Sequence, residues 1–542
     1  MPDMKKDNEN STLRDIYSAS VKNYGERMAF SLHNKESITY KEVSSRVENL
    51  IDILNKAGIE PGQKVALLGN NMPNWAVSYF AITVSGRVVV PILPDFTAFE
   101  IINVLDHSDA FAIIVSSKLE YKIHKHISDK LPLIIRMDTL EPVKVPTVSS
   151  PVQPTEPKQD DIASIIYTSG TSGASKGVML THSNLVHHTK MTFKLFPILQ
   201  DDTFLSILPL SHAYECSIGM LLPFYCGASV VYLDGSPTPS LLMPALKEVR
   251  PTVMLSVPLI VEKIYKIKIR PMFTKNIVLR ILYSVPIVRR ALHKLAGKKL
   301  LETFGGKLRF FGIGGSRIDG VVEHFLADAG FPYGIGYGLT ETSPLLAGAI
   351  PGKVRWQSTG PAIEGVELKI AQPNKEMIGE VLAKGPNIMK GYYKDPDTTK
   401  ASFTSDGWFI TKDIGYIDKK GNLFIKGRRD NMMLGPNGEN IYPEDIESVI
   451  NEFDLVLESL VVQKKGKLVA KVHFNYEEIK NGLLEEGNGS KNITDKLTEV
   501  KAELFSYVNE RVNKFSRLSE ITEQPVPFEK TATLKIKRYL YS

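Results

Sequence analysis

Helix-period and strand-like apolar segments alternate through the first 427 residues. Residues 40–58 read as a helix, 64–68 as a strand, 74–85 as a helix and 88–93 as a strand. That alternation predicts an α/β fold with parallel-rich sheets covered by helices. A connection rich in proline and serine runs from Val145 to Asp161, and the strand 162–167 follows it directly. Past Gly427 the pattern changes. A helix opened by Pro443 and Glu444, strands at 458–463 and 468–474, a polar loop at 485–492 and a helix around 495–513 predict a small α+β domain. The expected division is a large domain over 1–427, a hinge at 428–430 and a small mobile domain over 431–542.

With 542 residues the chain is too long for one core, which agrees with that division. Two apolar stretches raise the question of membrane spans. The first, 76–93, carries Arg87 inside it. The second, 216–233, has no charge, but Gly219, Pro223 and Gly227 interrupt it and its tail is β-branched. A buried helix followed by a core strand is predicted there, and no transmembrane segment. Residues 1–14 are charged and lack the apolar run of a signal peptide. The two cysteines, Cys216 and Cys226, have no metal-ligand spacing and fit a reducing compartment, so a cytoplasmic location is expected. Sixty-six basic against sixty acidic residues give a net charge of +6. That excess is too mild to identify an anionic partner, and nucleic-acid binding is not expected.

The segment YTSGTSGASKGVML, residues 167–180, directly follows a predicted strand. Its glycines Gly170, Gly173 and Gly177 let backbone N–H groups crowd round an anion. The hydroxyls of Thr168, Ser169, Thr171 and Ser172 add donors, and Lys176 adds a positive charge. Such a loop is built to cradle a triphosphate. It is not a Walker A loop, because Lys176 precedes Gly177 and no hydroxyl residue follows it.

With this loop in view, the sequence resembles the adenylate-forming, AMP-binding enzymes. The resemblance continues in order through PLSHAYE (209–215), GGS (314–316), GYGLTET (336–342), GWF (407–409) with Lys412-Asp413, GRRD (427–430) and KTATLK (530–535). It implies ATP and Mg²⁺ as well as coenzyme A, with a carboxylic acid activated as an acyl-adenylate and passed to a thiol. Tyr337, between Gly336 and Gly338, would face adenine, with Gly314, Gly315 and Ser316 on its other side. Glu341, after Thr340, would hold Mg²⁺ with help from Thr168. Asp413 would take the ribose hydroxyls with Arg428 as its partner, and Asp430 would be the hinge. Lys535 would be the catalytic lysine of the small domain, acting with Lys176 on the reacting phosphates. His212 would border the acid-binding tunnel, and no protein nucleophile is required.

Two positions depart from the family pattern. Lys412 stands where the family usually has glycine before the ribose aspartate. Leu534 stands where it has glycine before the lysine, and with Lys537 close by, the choice of Lys535 rests on the alignment from Lys530-Thr531. The run GPNGENIYPEDIE (435–447) resembles the long-chain fatty acyl-CoA synthetases. Because the sequence ends soon after Lys535, a stand-alone ligase is expected. The alternatives are transfer to a separate carrier protein, a luciferase-like oxygenase and, in a different class, a non-catalytic nucleotide- or acyl-binding module.

Between Val261 and Arg309 there are 13 Lys or Arg and 2 acids, Glu262 and Glu302. Ile264, Ile267, Ile269, Met272, Phe273, Ile277, Val278, Leu279, Ile281 and Leu282 are threaded among them. An ordinary solvated face is one reading. The other is peripheral contact with an anionic membrane on its inner face.

Overall fold

The strands predicted at 64–68 and 88–93 form Lys64–Leu68 and Val88–Ile92, paired in parallel at the centre of a mixed sheet. The computed structural model describes residues 11–123, 129–146, 151–153, 155–168, 175–235, 237–274, 277–435, 439–485, 492–531 and 536–541. Among these residues, the sheet has eight strands. Ile162–Thr168 joins it next to Val88–Ile92, and Lys176–Thr181 pairs antiparallel to Ile162–Thr168. A second eight-stranded sheet has as its parallel centre Tyr333–Gly338, Phe310–Ile313, Val253–Ser256, Thr203–Ser206, Ser229–Tyr232 and Met28–Leu32. Its antiparallel edges are Leu345–Ala349 and Ser37–Thr39.

The helix Pro73–Val84 is buried at every residue, which explains why its sequence carries no amphipathic stripe. Helices Tyr40–Lys56, Ala98–Ser108 and His182–Leu195 each start at a threonine whose hydroxyl caps the first turn, answered by Glu42, Glu100 or Asn184. Arg87, the charge inside the first apolar stretch, is buried. Its guanidinium donates to the Ile59 carbonyl, the Ser85 hydroxyl and Asn55, and burial lowers its pKa to about 10. The second apolar stretch is a buried π-helical turn, Glu215–Leu221, running into the short helix Leu222–Cys226 and then the strand Ser229–Tyr232. No helix among the described residues is long and apolar enough to cross a membrane.

Residues 367–428 depart from the predicted alternation. Glu367–Ala371, Gly379–Lys384, Phe409–Ile417 and Leu423–Arg428 form an antiparallel four-stranded sheet. Tight turns set this topology: the carboxylate of Asp418 accepts from the backbone N–H groups of Lys420 and Asn422, and Gly421 takes φ +81°. Beyond it, the strands Val456–Lys464, Lys467–Phe474 and Glu520–Glu523 share with helices Pro443–Asn451 and Ile493–Arg511 a core of their own, including Ile446, Ile450, Val461, Leu504 and Val508.

The basic segment 261–309 does not present all its charges outward. Lys266 donates to the Asn451 and Val456 carbonyls at 2.8 and 3.1 Å, Arg270 pairs with Asp454, and Arg309 pairs with the buried Asp202. Ile269 and Phe273 are buried as well.

Candidate active site

Strand geometry brings together residues far apart in sequence. Thr168 and Lys176 are register partners at the end of the hairpin formed by Ile162–Thr168 and Lys176–Thr181. Gly177 has no room for a Cβ, which would lie 2.9 Å from Ile165 Cγ2 and 3.2 Å from the Tyr167 ring. Ser169, Gly170, Thr171, Ser172 and Gly173 lie outside the described residues. The short strand Gly391–Tyr392 pairs with the outer side of the hairpin. It sets the Tyr392 ring 5.3 Å from the Lys176 ammonium, and the Tyr392 hydroxyl donates to Glu341 Oε1 at 2.8 Å. Burial, reinforced by the Glu341 carboxylate, raises the Tyr392 pKa, so its hydroxyl keeps its proton.

Glu341 sits in the single turn Thr340–Thr342, which is pinned from behind. Asn387 donates to the carbonyls of Thr342 and Leu345, both at 2.8 Å, and the Ser343 hydroxyl donates to the Asn387 carbonyl. Gly338 admits no side chain, because a Cβ would fall 1.7 Å from the Pro344 carbonyl oxygen. Sequence reasoning missed Tyr392 and Asn387. Neither spacing nor residue type marks them out, since their roles exist only through partners 42 or more residues away.

Three more of the expected residues meet on the antiparallel sheet. Asp413 and Arg428 are cross-strand partners, and the Tyr337 hydroxyl donates to Asp413 Oδ2 at 2.6 Å. Arg428 Nε lies 3.5 Å from Asp413 Oδ1, is buried and makes no hydrogen bond among the described residues. Burial lowers the pKa of Arg428, but Asp413, Glu341 and Tyr337 outweigh it and raise the net value. The guanidinium therefore acts on both the Asp413 and the Glu341 sides of the site. A buried guanidinium N–H with no hydrogen-bond partner among the described residues can donate a charge-assisted hydrogen bond to an anionic group such as a phosphate.

Gly314, Gly315 and Ser316 leave the end of Phe310–Ile313, the strand parallel to Tyr333–Gly338, so they emerge at the same edge as Gly336 and Tyr337. Gly315 has φ +89°, a left-handed conformation suited to glycine. His212 lies in the turn before the π-helical segment, where its Nδ1 accepts from the Tyr214 backbone N–H at 3.2 Å. Tyr214 lines a narrow apolar cavity of about 40 Å³ that is also walled by Phe204, Ile218, Val253, Leu255 and Phe310 and extends to Gly336. At Gly312 a Cβ would meet the Phe310 ring at 2.8 Å and the Tyr214 hydroxyl at 3.0 Å, so this glycine keeps the cavity open.

Asp430 occupies the turn Arg429–Asn431, 3.7 Å from the Lys412 ammonium. Lys535 lies outside the described residues, but the chain on either side of it is anchored. Lys530 pairs with Glu458 at 2.5 Å, Phe528 N–H donates to the same carboxylate, and Arg538 pairs with Glu447. Among the described residues, no cluster of three or more His, Cys, Asp or Glu is placed to hold a metal. Glu341 and Thr168, expected to hold a cation, are linked through Lys176 and Tyr392, and a carboxylate and a hydroxyl are donors that suit a hard cation also in contact with phosphate.

Residues 17–393 match the AMP-binding enzyme family. A mouse long-chain-fatty-acid–CoA ligase is 31% identical over 473 residues, covering 78% of this chain and 68% of that protein. A chloroplastic long-chain-fatty-acid–[acyl-carrier-protein] ligase of Arabidopsis thaliana is 29% identical, covering 86% of this chain and 76% of its own length. Among solved structures, an O-succinylbenzoate coenzyme A synthetase of Bacillus subtilis in complex with ATP and magnesium ion superposes with TM-score 0.74 at 22% identity, over 97% of this chain and 98% of that one.

Proposed function

This chain belongs to the AMP-binding enzyme family and is an acyl-adenylate-forming ligase, and from that premise we propose that it joins a long-chain fatty acid to coenzyme A. One observation carries the choice of acid. An apolar cavity, about 40 Å³ as it stands, has Gly336 in its wall, next to Tyr337 and the Asp413–Arg428 pair, so an alkyl chain would enter it by side-chain movements that widen it while its carboxylate reaches the polar site.

In the first step a carboxylate oxygen of the fatty acid attacks the α-phosphorus of ATP. The bond to the bridging oxygen breaks, and pyrophosphate leaves. Arg428 supplies positive charge where the phosphate charge shifts, and Tyr392 holds Glu341 in place. Magnesium, held by Glu341 and Thr168, would neutralise the phosphates. By family resemblance, Lys535 would bridge the carboxylate and the α-phosphate. In the second step the sulfur of coenzyme A attacks the acyl carbon and AMP leaves. Catalysis therefore rests on positioning and charge, without a protein nucleophile.

The name of the Arabidopsis relative favours a second acceptor, a carrier-protein thiol. ATP–pyrophosphate exchange across acetate, benzoate, octanoate, palmitate and oleate tests the acid. AMP release with coenzyme A or with a holo-carrier protein then tests the acceptor. Palmitate and oleate should support the fastest exchange. Ala349→Leu, which fills the cavity wall, should cut palmitate exchange by about tenfold while sparing acetate. A preference for acetate or benzoate would reject the long-chain reading. Absence of exchange with every acid would favour a binding module.

A further inference from the structure

Val278, Ile281, Leu282 and Val285 recur at i, i+3, i+4 and i+7 along the helix Ile277–Ser284 and the residue after it. An apolar stripe at that spacing ordinarily faces a core. Here it faces solvent, with exposures of 59, 65, 42 and 44%. The helix is held from its other side: the Tyr283 ring stacks on Phe273 at 5.2 Å, and its hydroxyl meets His293 Nε2 at 2.8 Å. The next helix, Pro286–Thr303, buries His293, Ala296, Gly297 and Leu300. Its contact with the helix Gly320–Ala329 is so close that a Cβ on Gly297 would lie 2.5 Å from the Ala329 Cβ. On its outer side it leaves Ile287 and Leu295 exposed at 82 and 69%.

Charge distinguishes this face from a chance apolar patch. Residues 263–301 hold 11 Lys or Arg and no acid. Lys266 and Arg270 turn toward the small domain. Arg280, Lys294, Lys298 and Lys299 are exposed beside the apolar residues.

We infer that this helical pair docks on an anionic lipid bilayer. The stripe and Ile287 enter the acyl boundary, and the basic side chains meet the headgroup phosphates. A second copy of the chain is a poorer occupant, because a two-fold pairing of the same patch sets its cations against each other. The pair also forms the crossover between Val253–Ser256 and Phe310–Ile313, two strands that line the apolar cavity, which ties the docking face to the substrate-binding wall. The inference does not depend on the acid being a fatty acid.

Co-sedimentation of the full chain with phosphatidylcholine vesicles, with and without phosphatidylglycerol, tests it. The protein should pellet with the anionic vesicles and be released in about 1 M salt, where screening reaches a few ångströms. Lys294→Glu with Lys298→Glu should weaken partitioning by about fivefold or more per residue. Ile281→Asn with Ile287→Asn should weaken it by about tenfold or more. All four substitutions lie on the surface, so thermal melts and acetate-dependent exchange should match the parent chain. Equal pelleting with both vesicle types, or variants that pellet like the parent, would overturn the inference. So would a dimer that these variants dissociate and that binds no vesicles.

Discussion

Lys412 has φ +62°, in the left-handed region that costs a residue with a Cβ about 1–2 kcal/mol. It lies between Thr411, whose hydroxyl accepts from the Asp413 N–H, and Asp413 itself, so the twist there aims the aspartate. The glycine usual in the family at this position now has a physical explanation, since the backbone needs the freedom that only glycine has at no cost. The 3.7 Å contact of Lys412 with Asp430 is half-exposed and offsets little of that strain. Lys412→Gly should therefore stabilise the large domain by about 0.5–1 kcal/mol, after allowing for the extra entropy glycine gives the unfolded chain. The check is the urea midpoint of the transition that exposes this sheet. An unchanged or lower midpoint would mean that the ion pair outweighs the strain.

At the level of elements, much was legible and the misses have a common cause. The helices expected at 40–58, 74–85 and 495–513 and the strands expected at 64–68, 88–93, 458–463 and 468–474 fell within about two residues of the observed elements because their signal is local. The antiparallel sheet of 367–428 escaped because its pairing depends on turns around Asp418 and Gly421 and not on periodicity. The strand at 162–167 that leads into the loop was legible, but the strand that begins at Lys176 was not, and Tyr392, which links Lys176 to Glu341, has no local signature. The π-helical turn Glu215–Leu221 was likewise hidden inside an apolar run, and it contains a buried carboxyl. Burial raises the Glu215 pKa to about 8, and one of its oxygens finds no hydrogen-bond partner. A folded pKa above the unfolded one stabilises fully below the unfolded value, and that contribution is lost as pH rises toward the folded pKa. Removing the group should therefore help increasingly up to about pH 8. Glu215→Gln should gain on the parent by on the order of 1 kcal/mol between pH 7 and 8. In that interval the buried His182 and His188, shifted down to about 4 and 3, are neutral in both states. Denaturant midpoints at the two pH values decide, and a constant gap would mean that Glu215 is ionised in the native protein.

For the whole molecule, one buried cation stands out among the contacts between the small C-terminal core and the large body. The Lys266 ammonium donates to the carbonyls of Asn451 and Val456, both in the small domain, and lies 3.9 Å from Asp319, whose backbone N–H donates to Glu262. Arg270 with Asp454 and Arg317 with Asp445 flank it. Burial lowers the Lys266 pKa, while the carboxylates of Asp319 and Glu262 hold it up. Such a site fixes one relative orientation of the two bodies. Lys266→Met would keep the stem but strand two carbonyls and two carboxylates, at a cost of about 1.5–3 kcal/mol to that orientation. If the two half-reactions use different orientations, with Asp430 as the hinge, the cost falls on only one of them. Pyrophosphate exchange and thioester formation from supplied acyl-adenylate should then change by unequal factors, one by about 10- to 100-fold and the other by little. Asp430→Pro, which restricts the backbone at the hinge, should split them as well. Equal losses in both steps for Lys266→Met would mean that the buried lysine only stabilises the protein and that the orientation seen here is not specific to one half-reaction.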